Sequence, residues 1–192
     1  FDDAKLGDLY TKEAYHMLKE LEFKAILKRF DGEEQEDFEI KIKEIIDLAE
    51  AEDIFAKAGD QPPFIIICDN IEDPHNLGAI IRTAEAAGAH GVIIPKRRGV
   101  GLTATVAKTS AGAVEYMPVV RVANIVSTIE ELKQKGLWIF CADMDGQPWC
   151  STDMGGPIGI VVGAEGSGVS RLTKEHCDFV VSLPMNGQVN SL

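Results

Sequence analysis

Six short apolar runs in residues 64–183 constrain the fold of this chain more than any other feature of its sequence. The runs are rich in β-branched residues, and helical patterns lie between them. The predicted strands are 64–68, 92–94, 118–122, 137–142, 158–162 and 179–183, and the predicted helices are 77–87, 103–110, 124–135 and 170–175. Strands that alternate with helices form mostly parallel sheets with helices on both faces. The sequence therefore predicts an α/β fold of this kind.

Three polar or glycine-rich motifs begin where apolar runs end. The first motif, DNIEDPHNLGAIIRTAEAAG, covers residues 69–88 after the first run. The second, GAEGSG, covers residues 163–168 after the fifth run, and the third, LPMNGQVNSL, covers residues 183–192 after the sixth. Open α/β sheets build their ligand sites at the carboxyl ends of their strands. We therefore expect the three motifs to converge on one pocket at that edge of the sheet.

The second motif differs from a dinucleotide-binding loop. Such a loop reads G-x-G-x-x-G and follows the first strand of its unit. Here Gly163, Gly166 and Gly168 read G-x-x-G-x-G and follow the fifth predicted strand. The pattern therefore disfavours NAD binding. Glycines at this place still allow the backbone to approach a flat adenine or a ribose closely.

Together and in this order, the three motifs resemble those of the SpoU/TrmH branch of the SPOUT RNA methyltransferases, over residues 62–192. The resemblance implies an α/β knot in which the second and third motifs wrap S-adenosylmethionine, and it implies a homodimer. The implied cofactor-binding residues are Gly163, Gly166, Leu183, Pro184, Met185 and Leu192. The implied catalytic residues are Asn76, Arg82, Glu165 and Ser191.

The reaction that this resemblance implies is methyl transfer from S-adenosylmethionine to a ribose 2′-hydroxyl of structured RNA. The resemblance of the motifs to those of the 23S ribosomal RNA guanosine 2′-O-methyltransferases favours a guanosine of that RNA as the target. The donor is a sulfonium with a neutral leaving group, so no metal is required. Two roles stay open for Arg82, a proton acceptor and an electrostatic clamp. Because arginine keeps its proton in proteins, stabilising the developing alkoxide is the physically easier role.

A basic segment follows the second predicted strand and is the predicted RNA contact. It consists of Lys96, Arg97 and Arg98, and Lys108 extends it. A solvated charge run is the alternative explanation. The net charge of −12 disfavours tight non-specific binding of nucleic acid, but it leaves room for a local basic patch.

Residues 1–60 form a second predicted domain, since they carry nine lysines and arginines against eighteen aspartates and glutamates. We predict a mostly helical, acidic α+β appendage with a strand at 38–42 and a helix that ends at Gly59. The amino-acid sequence of this segment resembles the linker of bacterial DNA polymerase I that follows the 5′-nuclease part, and a solvated helical extension is the alternative.

Two other functions stay open for the chain. One is a non-catalytic cofactor-binding or dimerisation module, and the other is a fragment of a DNA replication or repair protein.

The ends and the cysteines give further expectations. The family pattern continues into a long helix after Leu192, where this sequence stops, so a complete and an incomplete knot both stay open. Exposed apolar surface and a weakened cofactor pocket are expected without that helix.

The sequence contains four separated cysteines, with no zinc-ligand spacing and no secretory or membrane-spanning run. This pattern predicts a reduced, metal-free, cytoplasmic protein. Two of them, Cys68 and Cys141, are predicted core residues.

Overall fold

One parallel sheet organises the part of the chain that the computed structural model describes, which is residues 44–45 and 52–185, with side chains from residue 54 onward. Its strands are β1 (Glu44–Ile45), β2 (Phe64–Asp69), β3 (Gly91–Pro95), β4 (Val119–Val122), β5 (Trp138–Pro148), β6 (Ile158–Gly163) and β7 (Phe179–Ser182). The order across the sheet is β1-β4-β3-β2-β6-β5-β7, and all six pairs of neighbouring strands are parallel. The predicted α/β fold is therefore confirmed.

Helices cover both faces of the sheet. They are α1 (Glu52–Ala58), α2 (Pro74–Ala86), α3 (Ala104–Thr109), α4 (Ile125–Gln134) and α5 (Arg171–His176), and two 3₁₀ turns lie at Ala113–Glu115 and Trp149–Ser151. All six predicted strands and all four predicted helices of residues 64–183 are present. β1 was not predicted, and β5 continues to Pro148, six residues beyond its predicted end.

The core has two halves because successive strand residues point to opposite faces. Ile65 and Ile67 of β2 pack with side chains of α1 and α4 on one face. Ile66 and Cys68 pack with side chains of α2 and α3 on the other. Burial raises the pKa of the Cys68 thiol to about 12, so this cysteine is a neutral core residue, as predicted. Cys141 is likewise fully buried.

Part of the predicted N-terminal segment joins the same sheet. β1 pairs with β4, and Ile54 of α1 is fully buried in the core. A Cβ added to Gly91 at the start of β3 would lie 2.5 Å from the Ile54 side chain, so this helix packs directly on the sheet. Gly59 follows α1 with a φ of 54°, which suits a glycine that ends a helix.

Several predictions fall outside the described residues. The strand at 38–42 is one of them, so the appendage and the domain boundary at residue 60 stay predictions. Residues 186–192 are likewise outside, and the knot therefore stays a prediction too. In residues 52–185 no helix combines the length and the apolar character needed to cross a bilayer. The predicted compartment stays a prediction.

Candidate active site

The first and second motifs start side by side at the carboxyl edge of the sheet. β2 and β6 are neighbours, and their pairing continues to the last residue of each strand, where Asp69 lies opposite Gly163. β7, which precedes the third motif, lies two strands from β6, or about 10 Å across the sheet. The basic segment follows β3, on the other side of β2. The topology therefore places the start of every predicted site segment along one edge.

The first motif turns the chain sharply from β2 into α2. Asn70 takes a left-handed conformation with a φ of 58°. The Asp73 carboxylate caps α2 by accepting a hydrogen bond from the His75 backbone N–H at 2.8 Å, and Pro74 begins the helix. The same hydrogen bond holds the pKa of Asp73 below its ordinary value. This cap fixes where α2 starts and therefore where Asn76 projects.

A close helix contact explains the glycine within the first motif. A Cβ at Gly78 would lie 1.9 Å from Thr109 Oγ1, so α2 and α3 approach each other at this point more closely than any larger residue allows. Thr109 Oγ1 donates to the Thr105 carbonyl of its own helix at 2.8 Å and lies 3.3 Å from the Pro74 carbonyl oxygen of α2. An isolated glycine inside a helical pattern was the available signal for this contact. The sequence alone did not indicate that Thr109 is the partner.

The second motif is a small loop that closes on itself. The Ala164 N–H donates to the Gly168 carbonyl at 3.2 Å, and the Gly168 N–H donates to the Ala164 carbonyl at 2.8 Å. A Cβ at Gly163 would lie 2.1 Å from the carbonyl carbon of Gly168. Gly166 and Gly168 have φ values of 86° and 65°. All three glycines are therefore required by the conformation of the loop itself, a reason that the spacing of the motif does not indicate.

A direct hydrogen bond joins the two motifs. Asn76 Nδ2 donates to Glu165 Oε2 at 3.2 Å, across 89 residues of sequence. Two predicted catalytic residues therefore meet. Arg82 lies six residues further along α2 and is exposed, about 9 Å along the helix axis and about 120° around it from Asn76. Ser191 lies outside the described residues, and the catalytic roles of all four residues stay predictions.

The basic segment is tied to the first motif through backbone contacts. Val100 N–H donates to the Ile71 carbonyl at 2.8 Å, which holds the β3–α3 loop against the β2–α2 loop. Arg98 has a φ of 62°. The predicted RNA-binding side chains are all exposed: Lys96, Arg97, Arg98 and Lys108. The basic segment therefore presents its cations to solvent on the β3 side of β2, and its RNA-binding role stays a prediction.

The predicted cofactor positions of the third motif begin directly after β7. Leu183 and Met185 are 51% and 40% exposed, and Pro184 between them is exposed as well. These exposed side chains lie on the same edge of the sheet as the glycine loop. Leu192 lies outside the described residues, and the cofactor role of this set stays a prediction.

The fold is a parallel α/β domain in which two strand-end loops meet at the carboxyl edge of the sheet, the place where folds of this kind bind their ligands. Residues 63–192 match the model of the SpoU rRNA Methylase family, and the chain belongs to this family. The match begins after the acidic segment, so it lends no support to the resemblance of residues 1–60 to a polymerase linker.

Two curated relatives and one solved structure illustrate the family. The chain is 50% identical over 147 residues to YacO of Bacillus subtilis (strain 168), provisionally named as a TrmH family tRNA/rRNA methyltransferase, and the match covers 75% of this chain and 59% of YacO. It is 51% identical over 132 residues to the 23S rRNA (guanosine-2′-O-)-methyltransferase RlmB of Ralstonia nicotianae, covering 68% of this chain and 53% of that protein. The chain thus spans little more than half the length of these relatives.

The structural match agrees with the sequence matches. The SpoU methyltransferase AviRb from Streptomyces viridochromogenes, solved in complex with the cofactor AdoMet, superposes with a TM-score of 0.63 and 28% identity. The match covers 73% of this chain and 56% of AviRb. The described sheet is therefore the fold of this methyltransferase family.

Proposed function

We propose that this protein transfers a methyl group from S-adenosylmethionine to a ribose 2′-hydroxyl of structured RNA, with a guanosine of 23S ribosomal RNA as the target. The observation that carries the proposal is the hydrogen bond between Asn76 and Glu165, because it joins two family motifs into one polar site. The name of the Ralstonia relative and the AdoMet complex of AviRb support the reaction and the donor.

The residues beside Glu165 suit an adenosyl cofactor. Three of the six residues of the closed loop are glycines without side chains, so a ligand can approach the backbone there, and Leu183 and Met185 offer apolar surface on the same edge. When bound there, S-adenosylmethionine supplies the methyl group from a sulfonium centre and needs no metal. The protein then has to align the hydroxyl and exclude water.

The ribose hydroxyl has to be oriented and its developing negative charge stabilised, and we assign these roles to Asn76, Glu165 and Arg82. The Glu165 carboxylate accepts hydrogen bonds, so it can orient a ribose hydroxyl while Asn76 holds the carboxylate in place. Arg82 stabilises the negative charge that develops on the ribose oxygen as its proton leaves. Ser191 is proposed to help orient the substrate.

The substrate side of the proposal rests on charge and on strand order. The exposed cations of the basic segment lie on the β3 side of the Asn76–Glu165 pair, and the proposed cofactor surface lies on the β7 side. RNA phosphates would therefore bind over β3 and place a ribose over β2 and β6. A homodimeric state and a cytoplasmic location belong to the proposal through the family resemblance.

A nucleotide assay tests this proposal. The full chain is incubated with methyl-tritiated S-adenosylmethionine and ribosomal RNA, and the product is digested with alkali. Because alkaline cleavage needs a free 2′-hydroxyl, ribose methylation leaves the label in dinucleotides. We expect the label there, and label in mononucleotides would contradict the proposal by showing base methylation.

Two further measurements distinguish the proposed enzyme from the two alternative functions. Binding of S-adenosylmethionine in calorimetry without any transfer would favour the non-catalytic module. Binding of DNA in preference to RNA, with no affinity for the cofactor, would favour the replication or repair fragment.

A further inference from the structure

Asp69, the last residue of β2, is a buried acid that the proposed reaction does not use. It is 4% exposed, and among residues 54–185 it is the one buried aspartate or glutamate. Its Oδ2 accepts a hydrogen bond from the Ser170 backbone N–H at 2.8 Å. An acid is rarely buried unless it is paired or hydrogen-bonded, so this bond is expected to have a structural or functional reason.

Asp69 holds both ends of the glycine loop. Its backbone lies opposite Gly163, where the loop begins, and its side chain binds Ser170, where the loop ends. Between these points the loop is closed by the two hydrogen bonds that join Ala164 and Gly168. A closed unit of this kind is oriented by its attachments, and Glu165 lies within it.

Ser170 is itself fixed to the helix that follows. Its hydroxyl donates to Thr173 Oγ1 at 2.8 Å, and Thr173 is buried in α5. The bond from Asp69 therefore connects β2 to the junction between the loop and α5. On its other side, Asp69 precedes the turn at Asn70 and the Asp73 cap that direct Asn76.

We infer that Asp69 is a positioning residue that acts through the Ser170 N–H to hold the glycine loop so that Glu165 faces Asn76. The inference rests on the proposed function for its effect on turnover. Its effect on the loop is independent of that function.

Two variants at position 69 and one control test the inference. Asp69→Ala removes the acceptor, and we expect kcat for methyl transfer to fall about 100-fold with a smaller change in KM for RNA, because small misplacements of reacting groups cost this much. Asp69→Asn keeps an acceptor oxygen, and its kcat is expected to be at least about tenfold higher than that of Asp69→Ala.

Asp178→Ala is the matched control. Asp178 Oδ2 accepts a hydrogen bond from the Ile139 N–H at 2.8 Å, the same kind of contact, but just before the start of β7 at the opposite edge of the sheet. This variant is expected to lower Tm and to leave kcat unchanged. A fall in kcat equal to that of Asp69→Ala would overturn the inference, since any lost carboxylate that accepts from a backbone N–H would then act alike.

Amide hydrogen exchange gives a readout that does not depend on turnover. Asp69→Ala should speed exchange at Ser170 and Gly168 while β3 and α4 exchange as in the unchanged protein. Unchanged exchange at Ser170 would overturn the inference. If the unchanged protein transferred no methyl group, the proposed function would fail, whereas the exchange result would still decide the role of Asp69 in the loop.

Discussion

Arg82→Ala is expected to lower kcat for methyl transfer at least about 100-fold, since removing one donor that stabilises a developing oxyanion has an effect of this size. The affinity for S-adenosylmethionine is expected to stay within about twofold of the original. The reason is position, because Arg82 belongs to α2, whereas the proposed cofactor surface consists of the glycine loop after β6 and the segment after β7. The kcat of Arg82→Lys should lie between that of the unchanged protein and that of Arg82→Ala, because lysine keeps the positive charge but lacks the planar guanidinium group.

The measurements for Arg82 are tritium transfer to RNA at saturating substrates and calorimetry with S-adenosylmethionine. Arg171→Ala is a suitable control, because Arg171 is an exposed arginine that pairs with Glu175 on α5 at 3.3 Å. It is expected to retain wild-type kcat. Equal losses of turnover and cofactor affinity in Arg82→Ala would reject the proposed role.

Gly163→Ala is expected to weaken binding of S-adenosylmethionine by at least about 100-fold, or nearly 3 kcal/mol. The added Cβ would lie 2.1 Å from the Gly168 carbonyl carbon and 2.2 Å from the Val169 nitrogen. These are backbone atoms that cannot move without breaking the two hydrogen bonds between Ala164 and Gly168. The loop should therefore open and lose its surface for the cofactor.

Gly101→Ala is the matched control for Gly163→Ala. A Cβ at Gly101 would meet no atom within 4 Å, so this variant should bind the cofactor as before. Calorimetry measures both variants, and a thermal unfolding curve shows whether Gly163→Ala is still folded. Wild-type affinity in a folded Gly163→Ala protein would contradict the proposed place of the cofactor.

Local sequence pattern was enough to predict the sheet but not the full length of β5. The runs that form β2 and β3 are buried on both faces, so their composition alone indicates strands. The continuation of β5 contains Asp143, Asp145 and Gly146, which are uncommon in strands. It is a strand because it pairs with β7 after a shift in register, and Gly146 lies close to the Val181 backbone. Such long-range pairing has no signal in the local sequence.

The candidate site was predictable to the extent that it depends on strand ends. Parallel strands bring their carboxyl ends to one edge, and this brings Asn76 within hydrogen-bonding distance of Glu165. The hydrogen bond between Asp69 and Ser170 was not predicted, because it depends on how the loops after β2 and β6 pack against each other in three dimensions. Spacing along a sequence does not contain that information.

The central claim is that the loops after β2 and β6 form one site, and a double-mutant cycle on Asn76 and Glu165 tests it most directly. The measured quantity is kcat/KM for methyl transfer in Asn76→Ala, Glu165→Ala and the double variant. Residues that share one hydrogen bond are non-additive, so each single change should lower kcat/KM about tenfold or more and the double variant should be little worse than the poorer single one. Losses that multiply fully in the double variant would show two independent contributions and would contradict the claim.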